Sequence, residues 1–152
     1  MELLEALSYL VTILGFPIAI FVFVYEHRRR LSNDENELYR QLSEEYDNFV
    51  RLTLDNADLL IWRSTDDTDN LNAEQLERRR IIYMMLVSLF EKAYIILFSD
   101  NMTLEGSRRW RSWEDDMHEW CRKKNFAKQL PELLEGEDSA FSQHIQAIAR
   151  AC

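Results

Sequence analysis

Residues 6–25, ALSYLVTILGFPIAIFVFVY, run for twenty positions without a charged side chain. At the helical rise such a run is about 30 Å long, the hydrocarbon thickness of a bilayer. No other stretch constrains the fold so strongly, because an uncharged run of this length has to be buried on every side, in lipid or in a core. Glu2 and Glu5 precede it and Glu26-His27-Arg28-Arg29-Arg30 follow it. A cleavable secretory signal has the opposite flanks, a basic region ahead and a small-residue cleavage site behind. The reading is a transmembrane helix that stays attached. The membrane-surface arginines Arg28, Arg29 and Arg30 then hold the body on the cytoplasmic side, with the N-terminus outside. A buried core helix is the competing reading.

Within the run, Ser8, Thr12, Gly15 and Ala19 recur at spacings of four, three and four, which puts them on one face. In lipid a face of small residues lets helices approach closely and offers hydroxyls for interhelical bonds. These residues are candidates for membrane helix packing or pore lining, with Glu26 continuing the face. The plain alternative is that small residues fall on one face of many single helices.

The remainder holds few helix breakers, since the whole chain has three glycines and two prolines in 152 residues. Ser32-Asn33-Asp34-Glu35 has the form of a capping box, so a new helix is expected to begin there. Leu38, Leu42, Tyr46, Phe49 and Thr53 keep the helical period, and the polar STDDTDNLN that follows DLLIW reads as a mobile loop. Asn72-Ala73-Glu74-Gln75 can cap the next helix. The centre of that helix, residues 81–98, is apolar almost all round and so is expected to be buried on every side. Glu91 and Lys92 lie inside it and would be costly at bilayer depth, which favours a central core helix over a second span. The expected fold class is therefore all-α. It comprises one N-terminal transmembrane helix with its basic stop in residues 1–30, and a cytoplasmic domain over 31–152 built as a bundle of about four helices.

The stretch RRWRSWEDDMHEWCRKKNF, residues 108–126, carries the densest chemistry. Trp110, Trp113, Met117, Trp120 and Cys121 share one helical face, expected to pack on the 81–98 helix. On the other side Arg111 can pair with Asp115, and Glu114 with His118. Arg111 and His118 also form an Arg-x6-His pair, the loosest form of a ribonuclease motif. Seven residues separate them by about 10 Å on a straight helix, whereas that chemistry needs both groups at one phosphate, usually across a dimer. The favoured reading assigns no catalytic residue and keeps Arg111 and His118 as minority candidates. His118 and Cys121 offer two metal ligands, but only isolated His27 and His144 remain to complete a set, so neither metal nor cofactor is expected. The net charge of −9 argues against coating nucleic acid through bulk positive charge. Cys121 and Cys152 form no disulfide framework and suit a reducing compartment.

The order of LVTILGFPIAIFVF, EHRRR, ELYRQLSEEYDNFV, SLFEKAYI and WRSWEDDMHEWCRKKNF resembles a family of small bacterial single-span membrane proteins that includes the membrane accessory protein of type VI-B CRISPR loci. The resemblance implies an inner-membrane location and antiviral defence beside an RNA-guided nuclease. It also implies assembly into a ring with a central pore and depolarisation of the membrane. Its proposed Arg-x4-6-His motif maps onto Arg111 and His118 alone. The first expectation is thus an oligomeric, non-enzymatic membrane effector whose partners are the bilayer and its own copies. The alternatives are a membrane-tethered HEPN-like ribonuclease dimer and a non-catalytic scaffold.

Overall fold

A computed structural model describes the backbone of residues 2–64 and 70–152, and within them every side chain except those of 2–17, 28 and 30–33. The elements are α1 (Glu2–Asp55), a 3-10 turn (Ala57–Leu59), α2 (Ala73–Leu97), α3 (Leu104–Cys121), α4 (Lys124–Leu133) and α5 (Ser139–Ala151). The all-α expectation is met, with no strand among the described residues. The chain divides into two compact units, Met1–Leu38 and Tyr39–Cys152.

In the first unit the transmembrane expectation is corrected. Among the described residues no helix is long and apolar enough to cross a membrane. Of the uncharged run in α1, the described side chains extend only from Ile18 to Tyr25, about 12 Å of helix against the ~30 Å a crossing requires. Residues 6–17, which would complete the run, lie outside the described side chains. A second correction concerns Ser32, because the backbone stays helical through it from Glu2 to Asp55. A capping box starts a helix only where the preceding chain has left helical geometry. No glycine or proline between residues 18 and 55 makes it do so.

The second unit is a bundle around α2. Its N-terminus is the capping box expected there: Asn72 Oδ1 accepts from Gln75 N–H at 2.9 Å, and Gln75 Oε1 accepts from Asn72 N–H at 3.0 Å. On α3 the five residues of the expected apolar face are all buried. They meet α2 through edge-on ring pairs, Trp113 with Phe90 at 6.4 Å and Trp120 with Tyr83 at 6.3 Å. Gly136 turns the chain into α5 with φ 96°, a conformation only glycine takes without strain. Phe141, Ile145 and Ile148 of α5 then close the core.

The α2 helix departs from the expectation of burial on all sides. Ile82, Tyr83, Leu86, Val87, Phe90 and Ala93 are buried, yet Ile81, Met84, Met85 and Ile95 remain at least half exposed. The contacts of α2 with α3, α4, α5 and the 3-10 turn are not enough to wrap it. The loop expected after DLLIW lies largely at 65–69, outside the described residues.

Trp120 is 1% exposed and surrounded by rings. Trp120→Ala is expected to cost about 3–5 kcal/mol, read as a fall in the urea midpoint. Met84→Ala, on the exposed side of α2, is expected to shift it by less than about 0.5 kcal/mol.

Candidate functional site

Two regions of the second unit gather polar groups. The first joins the C-terminal half of α3 to α5. His118 is half-buried, and its Nδ1 lies 3.8 Å from Cys152 Sγ. Glu114 turns to α5 rather than to His118: its Oε1 stands 3.3 Å from His144 Nε2, although the pair falls short of an aligned hydrogen bond. Burial lowers the His144 pKa, with Glu114 opposing and His118 reinforcing the shift. The imidazole is therefore neutral near pH 7. Cys121, buried on the same helix, has its thiol pushed up to about 12 by burial, with Cys152 adding to it. A thiol held protonated is a poor nucleophile and a poor metal ligand. Among the described residues no group of three or more histidines, cysteines or carboxylates can hold a metal.

Arg111 sits exposed on α3 while His118 faces α5 and Cys152. No described contact brings the two to a common point, so within one chain they remain two separate groups on one helix. The charges around the tryptophans serve packing. Arg109 pairs with Glu105 and lies 5.2 Å over the Tyr39 ring. Lys123 lies 5.4 Å from the Trp62 ring and 5.3 Å from that of Trp120, and holds Glu119 at 3.2 Å.

Of the residues expected to pack or line a membrane helix, Ser8, Thr12 and Gly15 lie outside the described side chains, and Ala19 and Glu26 are exposed. Arg29 is exposed, and the side chains of Arg28 and Arg30 lie outside the description.

The second region is the arginine triplet ahead of the apolar segment, for which the sequence leaves two roles open, at the membrane surface or answering the acidic helices. Arg78, Arg79 and Arg80 open α2 in succession. Arg78 reaches Asp58 Oδ2 at 3.3 Å and also bonds Asn56. Arg80 reaches Glu132 at 3.8 Å. Arg79, between them, is 1% exposed and lines a cavity of about 570 Å³ between α2 and α4. No signal within the triplet marks Arg79, because three consecutive helical residues span about 200°, an arc that fits the solvent face left by an apolar stripe about 100° wide.

Comparison with protein-family models, with curated proteins and with solved structures gives no match. The resemblance drawn above therefore rests on segment order and aromatic pattern.

Where α5 begins, Glu91 of α2 accepts the backbone N–H of Asp138. Neighbouring Glu137 has its carboxyl raised from 4.5 to about 7, by burial first and then by its hydrogen bond with Glu91 and the charge there. Between those pH values the folded chain holds a proton that the unfolded chain has lost. Stability therefore falls as pH rises through the window and is level above it. Asp116, raised from 3.8 to about 6 mainly by burial, acts in the same sense at slightly lower pH. Glu137→Gln is expected to match the parent protein's urea midpoint at pH 4 and exceed it at pH 8. A constant difference across that range would refute the assignment.

Proposed function

We propose that this protein is a non-enzymatic effector that assembles with its own copies at a lipid surface, burying the apolar sleeve of α1 among acyl chains. One observation carries the reading. Phe21 and Phe23 are each 70% exposed, and Ile18, Ile20, Val22, Val24 and Tyr25 are all at least 43% exposed. Successive residues step about 100° around a helix, so eight consecutive exposed positions sample its whole circumference.

That distribution selects among possible covers. A single partner helix would shield a stripe and leave the opposite side in water. Acyl chains shield every side at once. With about 1.5 kcal/mol or more for each large side chain removed from water, seven such residues supply on the order of 10 kcal/mol. The exposed Arg29 just beyond the sleeve adds attraction to anionic headgroups, about 1 kcal/mol per basic residue near the surface. Burial in lipid is all this reading asks of the helix; a crossing is no part of it. The setting we propose is the one the resemblance implies, antiviral defence beside an RNA-guided nuclease with loss of membrane potential as the outcome.

Flotation with vesicles of phosphatidylglycerol and phosphatidylethanolamine tests the reading. The full chain is expected to float, and Phe21→Glu combined with Phe23→Glu to reduce the bound fraction at least tenfold without altering the far-UV spectrum. Arg111→Ala and His118→Ala are expected to float unchanged. Equal flotation of the double glutamate variant and its parent would sink the idea.

A further inference from the structure

We infer that the cavity lined by Arg79 is a binding site for the phosphate group of a small organic phosphate. Arg79 is 1% exposed, and its Nε and Nη1 have no hydrogen-bond partner in the protein. Among the described residues no carboxylate pairs with it, in contrast to Arg78 and Arg80 on either side. An arginine keeps its charge at any pH a protein meets, so the usual escape of a buried group, loss of the charge, is closed to it. A buried, uncompensated guanidinium is strongly unfavourable. One turn on, Tyr83 buries a phenol hydroxyl that likewise has no partner. Arg79 stands at the wall of the cavity, where an anion from outside would compensate its charge.

The lining specifies which anion. Arg79, Arg80 and Lys128 contribute three positive charges, against the two carboxylates of Glu77 and Glu132. Glu132 is already drawn to Arg80, which leaves Arg79 and Lys128 as the cations able to converge on a guest. A guanidinium fork and an ammonium approaching from different helices suit a tetrahedral group with three oxygens better than a planar carboxylate with two. The Gln129 amide is held by donating to the Asn125 carbonyl at 3.2 Å, which leaves its own oxygen to meet a hydroxyl or amine of the guest. At about 570 Å³ the cavity exceeds the needs of inorganic phosphate and falls in the range of small-molecule sites. The net charge of −9 works against long polyanions and much less against a small one, whose repulsion from distant carboxylates is screened beyond about 10 Å.

The phosphate can belong to a soluble metabolite or to a lipid headgroup, and the test separates the two. Melting is followed in a phosphate-free buffer at fixed ionic strength, with inorganic phosphate as the probe against chloride. The parent protein is expected to gain about 3 °C or more in phosphate. Arg79→Met is expected to lose that gain while melting in chloride at or above the parent, because the substitution removes an unpaired buried charge and keeps the volume. Lys128→Ala, at an exposed position, is expected to weaken phosphate binding about tenfold with no change in chloride, and it carries the test should Arg79→Met fail to fold. A phosphate gain that survives in Arg79→Met, an unchanged affinity in Lys128→Ala, or no gain in the parent would each overturn the proposal. The source follows from flotation of the Phe21→Glu, Phe23→Glu chain on phosphatidic acid against phosphatidylcholine. Selective flotation that Arg79→Met abolishes assigns a headgroup, and phosphate binding without it assigns a soluble phosphate. Because this arm uses the sleeve variant, failure of the lipid reading leaves the pocket test intact.

Discussion

Trp120 meets four other rings, and they come from four different parts of the chain: Phe49 of α1 at 5.7 Å, Trp62 beyond the 3-10 turn at 4.9 Å, Tyr83 of α2 at 6.3 Å and Phe126 of α4 at 5.9 Å. Aromatic pairs of this kind add direction to burial, since edge-to-face contacts are favoured over arbitrary ones. The cluster thereby sets the rotation of α2 as well as its position. Tyr83 also stands nearly perpendicular to Phe126, at 5.3 Å. Arg79 precedes Tyr83 by four residues and so shares its face. Seating Tyr83 between Trp120 and Phe126 therefore carries Arg79 inward, whatever that burial costs.

The same cluster is closed by polar groups that limit how far it can open. Lys123, with its side chain only 7% exposed, covers Trp62 and Trp120 with a cation and keeps Glu119 in reach. Trp62 in turn donates to Thr53 Oγ1 at 2.8 Å, and Thr53 donates to the Val50 carbonyl at 2.6 Å. The partly exposed indole is thus tied to the end of α1. A rotation of α3 would break ring contacts and these bonds together.

What could be read in advance followed from period and from local chemistry. The tryptophan face of α3 was legible because five apolar residues at helical spacing admit one orientation, and the start of α2 because Asn72 and Gln75 satisfy each other's backbone. Where tertiary context decides, the reading failed. The Ser32 box has the right residues, but nothing before it releases the helix. The apolar α2 looks central, yet the neighbouring helices cover only one side of it. His118 and Glu114 stand at pairing distance in sequence, yet Glu114 faces His144 because α5 brings that ring closer. The burial of Arg79 needed the position of α4, which no pattern within α2 encodes.

Among the described residues two apolar surfaces remain uncovered, and their patterns differ in a way that matters. On α2 the exposed Ile81, Met84, Met85 and Ile95 share their side of the helix with Ser88 and Lys92, and Lys92 holds Glu45 at 2.9 Å. Water is a tolerable solvent for such a stripe, and a polar residue at every turn or so keeps its apolar parts small. Between Ile18 and Tyr25 of α1 no charged residue interrupts the sequence, and every described position is exposed. A surface like that has no orientation in which water is excluded by one neighbour. Its physics is that of a solute seeking an apolar solvent, whereas the α2 stripe is that of an ordinary protein surface, and for that reason the lipid reading rests on the first and draws nothing from the second.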